Sequence, residues 1–217
     1  MADVIVNQAL PLCDKSLGNE DSMKVIGLTG GVGTGKSTVV SLAEEKPYVR
    51  AVKADEIGHF AMELGQSAYN DIIALFGDDI LNEDKTINRK KVAEIVFADN
   101  EKLSALNGII HPFVRNVIET RIEEEKKKGE CKFFIIEAAI LLETGYQAIC
   151  DEIWVVITKE SLRRQRLKES RGYSEEKITA IMKEQMPDEE FIKYADVIIE
   201  NNESLEIVKR KLDLLLV

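Results

Sequence analysis

The sequence predicts an α/β fold, a central parallel sheet covered by helices, and three observations carry that prediction. Short continuous apolar runs, "KVIGL", "RAVKA", "KFFII", "EIWVVI" and "DVIIE", recur along the chain. Such runs read as strands buried on both faces, the pattern of a parallel sheet. Stretches with helical spacing, such as "STVVSLAEE", separate them. A glycine-rich segment, "LTGGVGTGKST" from Leu28 to Thr38, joins the first run to the first helix.

Taken in order, the first strand opens at Met23 and runs into the glycine segment. The second, "RAVKA", is followed by a helix with Ile57, Phe60, Ala61 and Leu64 at i, i+3, i+4 and i+7. Residues 66–128 read as wholly helical. There "LNGII" stops at His111-Pro112, and a second helix sets Val114, Val117, Ile118 and Ile122 on one face. Residues 160–186 are again helical and rich in Arg, Lys and Glu. Trp154 and the stripe Leu205, Val208, Leu212, Leu215 read as core. The expected organisation is a core of 23–65, 129–159 and 187–217, a helical insertion over 66–128 and a lid over 160–186. Insertions of this kind in a parallel-sheet protein commonly grip or cover a substrate. Residues 1–22, without sustained periodicity, read as a loosely attached extension that carries no chemistry.

Composition narrows the function classes. The chain has 217 residues, 45% apolar and 31% charged, as an ordinary globular protein has. A formal charge of −10 argues against a general binder of nucleic acid or membrane surfaces. No apolar run approaches the roughly 20 residues that span a bilayer. The start shows no basic stretch leading into a long apolar one, and a cytoplasmic location is expected. Cys13, Cys131 and Cys150 lack metal-ligand spacing and read as reduced thiols.

The glycine segment carries the chemistry. Gly30-x-x-x-x-Gly35-Lys36-Ser37 fits the pattern G-x-x-x-x-G-K-[ST], placed after a strand and before a helix as that pattern requires. Gly31, Val32, Gly33, Thr34 and Gly35 offer backbone N–H groups to phosphate oxygens, and the helix N-terminus adds partial positive charge. Lys36 is expected on the β- and γ-phosphates, Ser37 on Mg²⁺ and Thr38 on an α-phosphate oxygen. The reading is a nucleoside-triphosphate site. The chain contains no Asn-Lys-x-Asp segment, which weighs against a guanine-nucleotide switch.

Two carboxylates stand at strand ends, where open α/β sheets hold ligands. Asp55 follows the second run; it suits proton abstraction from an acceptor hydroxyl or metal binding. It equally suits the N-cap of a helix starting at Glu56. Glu137 closes "FFII" and suits a carboxylate reaching Mg²⁺ through water, the alternative being a partly buried acid paired with a lysine.

The ordered set "IGLTGGVGTGKST", "AD", "LFGDDIL", "INRKKVAEIVF", "LNGIIHPFVR", "ILLETG", "RQRLKESRG" and "ADVIIENN" resembles the dephospho-coenzyme A kinase family from Met23 to the C-terminus. The resemblance implies a three-layer P-loop kinase fold and transfer of the ATP γ-phosphoryl group to the ribose 3′-hydroxyl of dephospho-CoA, with Mg²⁺. It implies Asp55 as general base and Lys36, Arg166 and Arg171 as catalytic cations, the two arginines in the lid. It puts His111, Arg115 and Arg89 with Asp55 on the acceptor side, and Asn201 near the adenine. It makes ATP and dephospho-CoA the small-molecule partners. Lys53 stands where the family often has Asp, and His59 where it commonly has Arg. The lid arginines are five residues apart rather than the usual four. Another small-molecule kinase of this architecture, acting on a nucleoside monophosphate or a sugar acid, is the alternative.

Overall fold

The computed structural model of the chain describes residues 22–217. Apart from Ser22, the expected extension over 1–22 lies outside the described residues, as does Cys13. Five strands form as the apolar runs predict: β1 (Lys24–Thr29), β2 (Val49–Lys53), β3 (Phe133–Glu137), β4 (Glu152–Ile157) and β5 (Val197–Glu200). They lie in the order β2-β3-β1-β4-β5. The pairings of β1 with β3 and β4, and of β4 with β5, are parallel. Every residue of β3 is buried, which is why its sequence is apolar without alternation.

The register places the chemistry. Leu28 of β1 stands beside Glu137 on one side and Trp154 on the other. The segment leaving β1 therefore emerges next to the acid that ends β3. Helix α1 (Lys36–Ala43) follows at once. Ile26 and Leu28 pack with Val39, Val40 and Ala43 of α1, with Trp154, and with Val208, Leu212 and Leu216 from the C-terminal helix region. That helix is α9 (Leu205–Leu215), the last of the chain.

Two compact units are present, one of residues up to Val52 together with Ile122–Val217, the other Lys53–Arg121. The second contains α2 (Ala54–Phe60), α3 (Ser67–Phe76), α4 (Arg89–Ala98) and most of α5 (Asn100–Lys128). Ala61, Ala68, Tyr69, Ile72, Ile80, Ile87, Val92 and Leu106 form its own core. The first includes α6 (Glu160–Arg171), α7 (Glu175–Glu184) and α8 (Asp188–Lys193).

Three local expectations are corrected. The helix expected to stop at His111-Pro112 continues, since α5 runs unbroken through Pro112. Proline removes one donor, which leaves the Gly108 carbonyl short of a helical partner. Gly108 and Pro112 are both exposed, so water can take that place, while buried Val114, Ile118 and Ile122 hold the helix. Of the four apolar residues on the post-β2 face, Ile57 and Ala61 are buried but Phe60 and Leu64 are exposed; α2 ends at Phe60, so its helical spacing does not extend to Leu64. In α9, Val208 and Leu212 are buried and Leu205 is exposed; Leu216 continues the stripe.

Beneath β1, a side chain at Gly27 would meet Leu141, and the Cys150 Sγ at 2.9 Å. Burial pushes the Cys150 thiol from 9.0 up to about 12. The unfolded chain thus releases this proton first, and the thiol's contribution is intact below about pH 9 and lost as pH rises toward 12. Denaturant unfolding across that window should show a steeper loss of stability in the parent chain than in Cys150→Ala.

Candidate active site

In the loop between β1 and α1, the Val32 and Thr34 carbonyls are turned toward side chains from later in the chain. Gly30 has φ 141°, and a Cβ there would lie 2.3 Å from the Val156 carbonyl oxygen, so glycine is obligatory. Gly35, at φ 90°, caps α1, and a Cβ there would lie 2.3 Å from Asn201 Nδ2. Lys36 Nζ donates to the carbonyls of Gly30 at 2.8 Å and Gly31 at 3.1 Å. The Thr34 hydroxyl donates to the Gly31 carbonyl at 2.9 Å. Arg163 Nε donates to the Val32 carbonyl at 2.9 Å. The Thr34 carbonyl accepts from Asn201 Nδ2 at 2.8 Å, Thr158 Oγ1 at 3.0 Å and Arg166 Nη1 at 3.3 Å.

A trans peptide is planar, so each carbonyl held outward points the next N–H the opposite way. Held Val32 and Thr34 carbonyls thus aim the Gly33 and Gly35 N–H groups away from the side chains that hold them. The first turn of α1 has neither an acidic residue nor a capping side chain, so its amides and partial positive charge are not answered locally. The arrangement favours an anion, and its run of amides suits a chain of phosphates better than a single carboxylate.

The metal-side residues come together. Ser37 Oγ donates to Glu137 Oε1 at 2.7 Å. Glu137 is 8% exposed, and its Oε2 is buried with no hydrogen-bond partner among the described residues. A lone buried carboxylate oxygen is costly, and a cation or its water shell would satisfy it. Among the described residues no group of three His, Cys, Asp or Glu side chains could hold a metal. An ion here would depend on phosphate and water ligands, which is how Mg²⁺ is usually bound.

Asn201 and Arg166 sit behind the loop. Asn201 is 2% exposed, holds the Thr34 carbonyl and keeps a buried Oδ1 without a partner among the described residues. Arg166 also donates from Nη2 to the Asn201 carbonyl at 3.0 Å. Arg171 is elsewhere: exposed at the last turn of α6, it lies over the Tyr173 ring at 5.9 Å. Thr38 is exposed in the first turn of α1.

In the second unit, Asp55 is exposed in the first turn of α2. The N-cap is Lys53, because the helix starts at Ala54 rather than Glu56, so the N-cap alternative for Asp55 is overturned. Arg89 is exposed at the first position of α4. His111 and Arg115 are four apart on α5 and share a face. Burial lowers the His111 pKa, and Arg115 Nε donates to Glu119 at 2.9 Å.

Arg163, Gln185 and Thr158 escaped the sequence reading. Arg163 was hidden in a run of arginines, yet it precedes buried Leu167 by four residues and so lies on the buried face of α6. A charge on an apolar stripe is the signal that would have found it.

A sequence model described as dephospho-CoA kinase matches residues 24–206. The chain belongs to the dephospho-CoA kinase family. A dephospho-CoA kinase of Fusobacterium nucleatum is 41% identical over 192 residues, 88% of this chain and 96% of that one. A solved protein of Thermus thermophilus superposes with TM-score 0.76 at 30% identity, over 90% of this chain and 97% of that one. The dephospho-CoA kinase of Campylobacter jejuni superposes with TM-score 0.66 at 26% identity, over 88% and 94%. The dephospho-CoA kinase match begins at the first residue of β1 and ends in the first turn of α9, so it takes in the loop, Glu137, Asp55 and α5.

Gly30→Ala should lower unfolding free energy by at least about 2 kcal/mol in a denaturant titration, since strain and a backbone clash act together.

Proposed function

We propose that the chain transfers the γ-phosphoryl group of ATP to the 3′-hydroxyl of the dephospho-CoA ribose, forming coenzyme A. One observation carries the phosphate half of this reading: the loop carbonyls of Val32 and Thr34 are held by donors from beyond the loop, next to a carboxylate with an oxygen left for a cation. The acceptor follows from family membership across 24–206. Such a reaction belongs with the ATP supply of the cytoplasm.

Phosphoryl transfer needs alignment and charge neutralisation more than covalent chemistry. Lys36 exchanges its loop carbonyls for β- and γ-phosphate oxygens, and the amides of Gly31, Gly33, Thr34, Gly35, Ser37 and Thr38 line the phosphates; the Val32 N–H, expected there from the motif, is instead taken by Gln185. Ser37 and Glu137 would hold Mg²⁺, which supplies charge neutralisation on the phosphates when bound. Asp55 takes the proton from the ribose hydroxyl as it attacks. Arg166 and Arg171 act as lid cations, Arg166 from its place behind the loop; His111, Arg115 and Arg89 bind the acceptor. Asn201 serves the adenine end through its unpartnered Oδ1.

A coupled ADP-release assay with Mg-ATP tests the reading. Turnover should require dephospho-CoA; release that depends instead on a nucleoside monophosphate or a sugar acid would replace the acceptor. Asp55→Asn should lower kcat by about a hundredfold or more while KM for ATP stays within a few-fold. Unchanged kcat would remove the base assignment. Glu137→Gln should abolish the rise in melting temperature that Mg²⁺ adds to nucleotide binding.

A further inference from the structure

Val32 is held at both ends by side chains from the segment after β4. Its N–H donates to Gln185 Oε1 at 2.8 Å, and its carbonyl accepts from Arg163 Nε at 2.9 Å. Arg163 Nη1 lies 3.2 Å from Asp188 Oδ1 and Nη2 3.5 Å from Gln185 Oε1. Both neighbours of that amide oxygen are donors, which fixes the orientation of the Gln185 amide. Arg163 itself is 8% exposed. A guanidinium so buried gives little net stability, because desolvation offsets its pairing.

Gly31 explains what the guanidinium is for. Its φ is not positive, so its backbone does not call for glycine. A Cβ there would nonetheless lie 2.3 Å from Arg163 Nη2 and 2.8 Å from Cζ. Gly31 leaves room for the guanidinium against the loop, and the guanidinium in turn holds the carbonyl of the Val32–Gly33 peptide.

We propose that Arg163 is a positioning residue for the nucleotide phosphates, oriented by Gln185 and Asp188 and acting through Gly31 and Val32. By pulling the Val32 carbonyl toward α6 it aims the Gly33 N–H at the phosphates. Arg163 touches no reacting atom; it makes the loop ready before nucleotide arrives. The proposal rests on the reading of the loop as an ATP site and extends it to how the site is preformed.

The test is calorimetric binding of Mg-ATP to the full chain without acceptor, alongside kcat and KM. Arg163→Ala should weaken Mg-ATP binding about tenfold, the loss expected for a charged donor, and raise KM for ATP more than it lowers kcat. Gly31→Ala should weaken binding to a similar extent by displacing the guanidinium. The double variant should bind no worse than either single one, because both remove the same interaction. A lowered melting temperature with Mg-ATP affinity unchanged would make Arg163 merely structural and overturn the proposal, as would full additivity in the double variant. If Arg163→Ala does not fold, Gln185→Met, which leaves Asp188 to pair the guanidinium, should still weaken binding about threefold; unchanged affinity there overturns the proposal equally. Binding is read without dephospho-CoA, so failure of turnover in the parent chain bears on the acceptor assignment alone.

Discussion

Everything at this site depends on where the loop carbonyls go. A planar peptide cannot direct both its carbonyl and the following N–H to the same side. The loop can present amides to an anion only if its carbonyls find donors elsewhere. The structure supplies those donors from four places: the loop's own Thr34, Thr158 after β4, Arg163 and Arg166 on α6, and Asn201 after β5. The site is therefore a product of the sheet order, which brings β4 and β5 alongside β1. The glycine motif alone would not be enough.

The same logic reconciles the charge of the chain with its ligand. A formal charge of −10 disfavours phosphate in general. At the head of α1 the nearby groups are backbone amides, Lys36 and buried or half-buried guanidinium groups. Glu137 is bonded to the motif serine and has an oxygen left for a cation. Local geometry outweighs net charge because interactions inside a dry site are much stronger than those across solvent.

Much of this was legible in the sequence, for physical reasons that differ by element. Strands buried on both faces must be apolar throughout, so β1, β3 and β4 could be read from composition alone. The loop was legible because steric and phosphate demands leave few residues that serve. Helix ends were less so. Proline normally stops a helix, but at an exposed position the loss is a single hydrogen bond, and tertiary burial of Val114 and Ile118 outweighs it. Asp55 seemed a cap because a helix start is uncertain by one or two residues. The arginines were the hardest to read. Arg163, Arg166 and Arg171 lie within nine residues of one another, and only the partners reached by each face of α6 separate them. The partners of Arg163 and Arg166 are distant in sequence, and the only local sign is the place of Arg163 on the apolar stripe with Leu167.

The central claim is that the loop is set for phosphate before phosphate arrives, and paired crystal structures without nucleotide and with Mg-ADP measure it most directly. The account predicts that backbone atoms of Gly30–Gly35 shift by less than about 1 Å, with the Thr34 and Val32 carbonyls still held and only the Lys36 ammonium moving onto the ligand. A loop that refolds on binding, releasing those carbonyls from Asn201 and Arg163, would contradict it.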